Sequence, residues 1–112
     1  MSNEKIFKLP KEAIKELATG LGACLATDKI TVDGESVGYM YRESPTFYAD
    51  SGWRLFSGTE DQDYIDNADN LSFYDINTIA NYDKAIIPYL NFPIGAEFER
   101  IKGTDNFQTI PG

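Results

Sequence analysis

The hydrophobic positions change period several times along the chain. Ala13, Ile14, Leu17 and Ala18 recur at helical spacing, with Pro10 suited to a first turn and Gly20 to a stop, so a short amphipathic helix is expected there. From Ala23 the pattern becomes β-prone. Residues 24–27 and 30–32 are followed by the tight-turn dipeptide Asp33-Gly34 and by residues 37–41, which predicts a hairpin over 30–41. Ser44-Pro45 opens a loop that closes near Ser51-Gly52, because proline removes a backbone donor and pushes its predecessor towards extended geometry. Residues 53–57 then alternate, placing Trp53, Leu55 and Ser57 on one face and Arg54 and Phe56 on the other.

Residues 60–67 have room for one or two helical turns, with Thr59 as a cap, and 71–76 read as a strand. Asp75 or Asn77 can cap a second helix, marked by Ile79, Ala80, Ile86 and Ile87 and ended by Pro88 and Pro93. Residues 98–101 and 107–110 flank Lys102-Gly103-Thr104-Asp105 as a C-terminal hairpin. Clustered strands with hairpin turns and two main helices predict the α+β class, a mostly antiparallel sheet with the helices packed on it. At 112 residues the expectation is a single domain over 1–112, burying roughly two thirds of its unfolded surface.

Charge narrows the partners. The net charge is −8, and between Arg54 and Lys84 there are seven carboxylates, Glu60, Asp61, Asp63, Asp66, Asp69, Asp75 and Asp83, with no basic residue among them. Phe56, Tyr64, Phe73, Tyr74 and Tyr82 are interleaved with these acids. Such a field attracts cations and basic proteins and repels nucleic acid and anionic membranes, so neither of the latter is expected as a partner. The lone Cys24 sits in an apolar run and reads as a buried thiol in a reducing compartment. With no apolar stretch of signal-peptide length in residues 1–10 and none approaching a membrane span, a cytoplasmic location is expected.

Little catalytic chemistry remains. The chain has no histidine, which removes the commonest general base and the commonest zinc ligand. Gly20-Leu21-Gly22 follows a helical pattern instead of a strand and lacks the third glycine of a dinucleotide loop. Counted from Asp61, the sixth and twelfth positions of a calcium loop would be Asp66 and Ser72, where glycine and glutamate are needed, so no metal or cofactor is expected. Paired carboxylates could run glycosidic hydrolysis, but eighteen acidic residues supply such pairs by chance. Protein recognition fits better, because tyrosines give rigid contact area and carboxylates give steering. Trp53, Phe56 and Phe73 lie in strand patterns and read as core, whereas Tyr64 stands beside Asp63 and Asp66.

Four blocks together resemble a known bacterial family: Val37-Gly38-Tyr39-Met40-Tyr41-Arg42; Asp50-Ser51-Gly52-Trp53-Arg54-Leu55-Phe56-Ser57-Gly58-Thr59-Glu60-Asp61; Tyr74-Asp75-Ile76-Asn77-Thr78-Ile79-Ala80-Asn81-Tyr82-Asp83; and Gly95-Ala96-Glu97-Phe98-Glu99-Arg100. The family, formerly a domain of unknown function, is the thirty-third class of immunity proteins of polymorphic toxin systems, and the resemblance spans residues 22–102. It implies a non-catalytic α+β domain that binds a cognate toxin in the producing cell and blocks it. The pattern centres on Gly52-Trp53, for which a structural role is expected. Many secreted toxins are basic nucleases, so the resemblance and the charge together make Glu60, Asp61, Asp63, Tyr64, Asp66 and Asp69 the expected partner-binding residues. A regulatory or scaffold domain and a carboxylate-based hydrolase are the alternatives.

Overall fold

In the computed structural model, which describes residues 5–110, six strands form one sheet. They are β1 (Ala23–Thr27), β2 (Tyr39–Arg42), β3 (Asp50–Phe56), β4 (Leu71–Asp75), β5 (Glu97–Arg100) and β6 (Phe107–Thr109). Their order across the sheet is β4-β1-β3-β2-β5-β6. β1 and β3 run parallel, and every other neighbouring pair is antiparallel. The sheet is therefore mixed, and the α+β class holds.

The expected pair of main helices is corrected to one. That helix, α3 (Ile76–Tyr82), starts where Asp75 accepts a hydrogen bond from the Asn77 amide, and its Ile76, Ile79 and Ala80 are buried. A 3-10 segment, Lys84–Tyr89, follows it and contains Pro88. Two shorter helices are α1 (Asp28–Thr31) and α2 (Gln62–Asp66).

The N-terminal helix does not form beyond a 3-10 turn at Lys11–Ala13. Two asparagines of α3 draw the following chain onto it instead. Asn77 Oδ1 accepts from the amides of Leu17 and Ala18 at 2.7 and 2.9 Å, and Asn81 Oδ1 accepts from the Lys15 amide at 2.9 Å. Both side chains also donate to the Lys15 carbonyl at 2.8 Å. Side chains one turn apart on α3 thus meet backbone groups that a helix would have paired internally.

The hairpin over 30–41 is also corrected. Residues 28–31 form α1, which buries Ile30 and Thr31, and Asp33-Gly34 ends that helix. Gly34, at φ +78°, donates to the Ile30 carbonyl, and Glu35 donates to Lys29, the left-handed close typical of a helix C-terminus. β2 pairs instead with β3 and β5. The C-terminal hairpin forms as β5–β6.

Alternation gives the sheet two unlike faces. Cys24, Ala26, Met40, Trp53, Leu55 and Phe98 join Ile76, Ile79, Ala80 and Ile86 in the main core, so α3 and the 3-10 segment cover that face. Burial pushes the Cys24 thiol well above its ordinary pKa, as expected for an inert core cysteine. The opposite face carries Leu25, Tyr39, Tyr41, Arg54, Phe56 and Phe73, none of which belongs to that core. Phe73, expected in the core, is exposed. Among the described residues no helix is long and apolar enough to cross a membrane.

β3 kinks where it enters the sheet. Ala23 pairs with Asp50 but Leu25 pairs with Arg54, so β3 has extra residues around Ser51-Gly52. Gly52 has φ +92°, and a Cβ there would lie 2.0 Å from the Glu43 carbonyl oxygen. Gly52→Ala is therefore expected to cost at least about 1 to 3 kcal/mol from backbone strain, before the clash is added. Urea unfolding checks this, and an unchanged midpoint would mean that the bulge relaxes freely.

Candidate functional site

The open face of the sheet and the acidic segment meet at the end of β3. After Phe56 the chain turns through Gly58, and Glu60 folds back under the turn. Its carboxylate accepts from Thr27 Oγ1 at 2.6 Å and from the Ser57 and Gly58 amides at 2.8 and 2.9 Å. Burial pushes the Glu60 pKa up, but the hydrogen bonds from Thr27 and Ser57 outweigh it and hold the pKa below the usual value. A carboxylate held ionised this way is a poor proton donor for glycosidic chemistry.

Asp61 then starts α2. Its side chain accepts from the Tyr64 amide at 2.8 Å, so it takes the capping role expected of Thr59. Thr59 instead bonds Ser57, Glu35 and Lys29 through its hydroxyl. Asp63, in the first turn, complements the free N–H groups there. Asp61, Asp63, Asp66 and Asp69 are all exposed, and the Lys29 ammonium sits 5.4 Å from the centre of the half-buried Tyr64 ring. Burial, then the charges of Asp28 and Asp33, push the Tyr64 hydroxyl up to about 12.

The six expected residues thus divide. Glu60 and Tyr64 are engaged within the fold, and the four aspartates form an exposed acidic ridge over α2 and the following turn. Asp69 stands apart from the hollow described next, beside a second one bordered by Lys5, Asp28 and Ser72. Among the described residues no three acids or thiols converge as a metal site would require.

Sequence reasoning missed the neighbouring aromatic face. A hollow of about 530 Å³ lies between the open sheet face and α2, formed by Tyr39, Tyr41 and Phe56 with Ile65, Glu60 and Glu99. Gly38 and Gly58 also border it, and a Cβ at Gly38 would lie 2.1 Å from the Ser57 carbonyl oxygen, so glycine there lets the two backbones approach. Tyr41 stacks on Phe56 at 6.0 Å with planes 12° apart, and Tyr39 lies 5.8 Å from both rings. The Tyr39 hydroxyl donates to Glu97, and burial, then that hydrogen bond, raises its pKa well above the ordinary value. Period-two alternation carried the signal: Tyr39 and Tyr41 oppose Met40, and Glu97 and Glu99 oppose Phe98, but only the β3-β2-β5 pairing sets them side by side.

Beneath this surface lies a buried ion pair. Asp50 accepts from Arg54 at 2.9 and 2.8 Å, and from the amides of Gly52 and Thr46 at 2.8 and 2.9 Å. Arg54 also donates from Nε to Glu43 at 2.6 Å. Among the described residues no buried side-chain nitrogen or oxygen lacks a partner. Together with Glu43 and the Thr46 amide, the pair ties the loop of residues 43–49 to β3.

The sheet is thus mixed, with one face closed by α3 and the 3-10 segment and the other carrying Tyr39, Tyr41 and Phe56 beside acidic residues. The chain matches the immunity protein Imm33 domain over residues 24–111 and belongs to that family. Comparison with curated proteins and with solved structures returns no match.

Proposed function

We propose that this chain is an immunity protein that binds a cognate toxin and holds it inactive without chemistry of its own. Membership of the Imm33 family carries this reading. The exposed ridge of Asp61, Asp63, Asp66 and Asp69 supports a basic partner, for which a nuclease is the natural candidate. A surface of that sign occupies a cationic active site as phosphate would and speeds the encounter. Glu60 and Tyr64 act from behind the ridge, one fixing the turn and the other supporting α2.

The test is co-expression and pull-down with the product of the adjacent gene. A stable complex together with rescue of growth supports the proposal, and failure of both with folded proteins would sink it. Reversing charge at Asp61 and Asp63 to lysine is expected to slow association by tenfold or more at low salt and to flatten its salt dependence. Stopped-flow association rates at several ionic strengths check this. An unchanged rate at low salt would remove the ridge from the docking surface.

A further inference from the structure

Resting on the immunity reading, we propose that the hollow between the open sheet face and α2 is the seat of an arginine side chain presented by the toxin. The floor and wall are aromatic and aliphatic, from Tyr39, Tyr41, Phe56 and Ile65. The charged groups at its edge, Glu60 and Glu99, are both negative. The two nearby cations are already engaged: Arg54 with Asp50 and Glu43, and Lys29 with Thr59. The hollow therefore offers an apolar surface with two carboxylates at its edge, while Lys29 hydrogen-bonds the neutral Thr59 and keeps its charge.

A guanidinium group matches that combination better than other protein side chains. Its plane stacks on aromatic rings, its methylene stem covers apolar surface, and its fork pairs with a carboxylate. Glu60 is held ionised by its own three donors and supplies a fixed charge. Glu99 is exposed and, among the described residues, its side chain is held only by Gln108 Nε2 at 3.2 Å, so it can turn towards an incoming cation. Tyr39 and Tyr41, both half-buried, offer ring surface for stacking, and Phe56, nearly parallel to Tyr41, is itself buried. The volume, about 530 Å³, accommodates a whole arginine side chain.

Two arms test the proposal. In the first, ring signals of Tyr39, Tyr41 and Phe56 are followed by NMR while an acetylated Gly-Arg-Gly amide, or its neutral citrulline analogue, is added to the full chain. Saturable shifts with the arginine peptide, at least tenfold weaker with citrulline and lost in Glu99→Lys, support the proposal. Equal shifts, shifts confined to the aspartates of α2, or none overturn it.

In the second arm, affinity for the adjacent gene's product is compared between the parent, Glu99→Lys and Tyr41→Ser, each checked for an unchanged fold by circular dichroism. A loss of tenfold or more in Glu99→Lys supports the arginine seat, with Tyr41→Ser as a second reading where it folds. Full affinity in both overturns the seat while leaving the immunity function intact. Failure of the parent to bind removes the immunity reading, and the peptide arm then decides the hollow alone. A dimer of this chain that Glu99→Lys dissociates would overturn the proposal by giving the face another occupant.

Discussion

Asp50→Ala is expected to destabilise the protein by about 3 to 5 kcal/mol, because it leaves the Arg54 guanidinium buried without its main partner. The Asp50 side chain is fully buried and that of Arg54 is 3% exposed. The two-pronged pairing sits at the bulge of β3, where Asp50 also holds the Gly52 amide and the Thr46 amide. After the substitution Arg54 keeps the Trp53 carbonyl and, as its remaining carboxylate, Glu43, which is 48% exposed and well solvated. Against a total stability of roughly 5 to 15 kcal/mol, the loss takes a large share of the fold. Urea unfolding measures it, and a change below about 1 kcal/mol would show that the guanidinium finds water on the open face.

The same pair sets an acid dependence. The hydrogen bonds from Arg54 hold the Asp50 carboxyl far below the usual carboxylate range, although burial alone pushes it up. A lowered folded-state pKa means that the stabilisation is complete above the unfolded value of about 3.9 and is lost as pH falls through the folded value. Stability of the parent is thus expected to fall from about pH 4 downward, and Asp50→Ala to show a shallower slope over that range. Parallel slopes in the two proteins would assign the acid sensitivity to other carboxylates.

Trp53→Ala is expected to cost a similar amount, about 3 to 5 kcal/mol, through the cavity it opens. Trp53 is wholly buried, its ring lies against Phe98 at 6.4 Å, and its indole N–H donates to the Leu90 carbonyl at 3.1 Å. It therefore joins the sheet to the segment that follows α3. The Arg42 guanidinium closes the outer side, 5.8 Å from the ring. Trp53→Phe keeps most of the volume and leaves the Leu90 carbonyl without its donor, so a smaller loss of about 1 to 3 kcal/mol is expected. Thermal and urea unfolding of both variants check the order, and equal losses would place the energy in the hydrogen bond. A side chain with no exposed surface cannot meet a toxin, which gives Gly52-Trp53 an architectural role.

Much of the fold was legible where local chemistry and burial agree. The alternation of β3, the cap at Asp75, and the C-terminal hairpin follow from side-chain period and turn residues that the tertiary structure leaves undisturbed. Asp33-Gly34 misled because a helix C-terminus and a hairpin turn both ask for a residue at positive φ. The helical spacing of Ala13 to Ala18 misled because Asn77 and Asn81, some sixty residues away, satisfy that backbone from outside. At the candidate site, the acidic ridge was visible as composition, but Glu60 was not distinguishable from its neighbours. Its three donors come from Thr27, Ser57 and Gly58, and only Ser57 and Gly58 are close in sequence.

The sequence by itself determined the sign of the surface, the lack of histidine chemistry, the resemblance of the Gly-Trp and Asn-Thr-Ile-Ala-Asn blocks to an immunity family, and the period of most strands. Those properties are local or additive, and no folding is needed to read them. Only the tertiary structure decided that β1 and β3 run parallel, that Arg54 is sealed against Asp50, and that Tyr39, Tyr41, Phe56 and Glu99 share a hollow with α2. Strand order and register are set by which apolar faces bury best together, a competition among segments far apart in the chain that no single stretch of residues encodes.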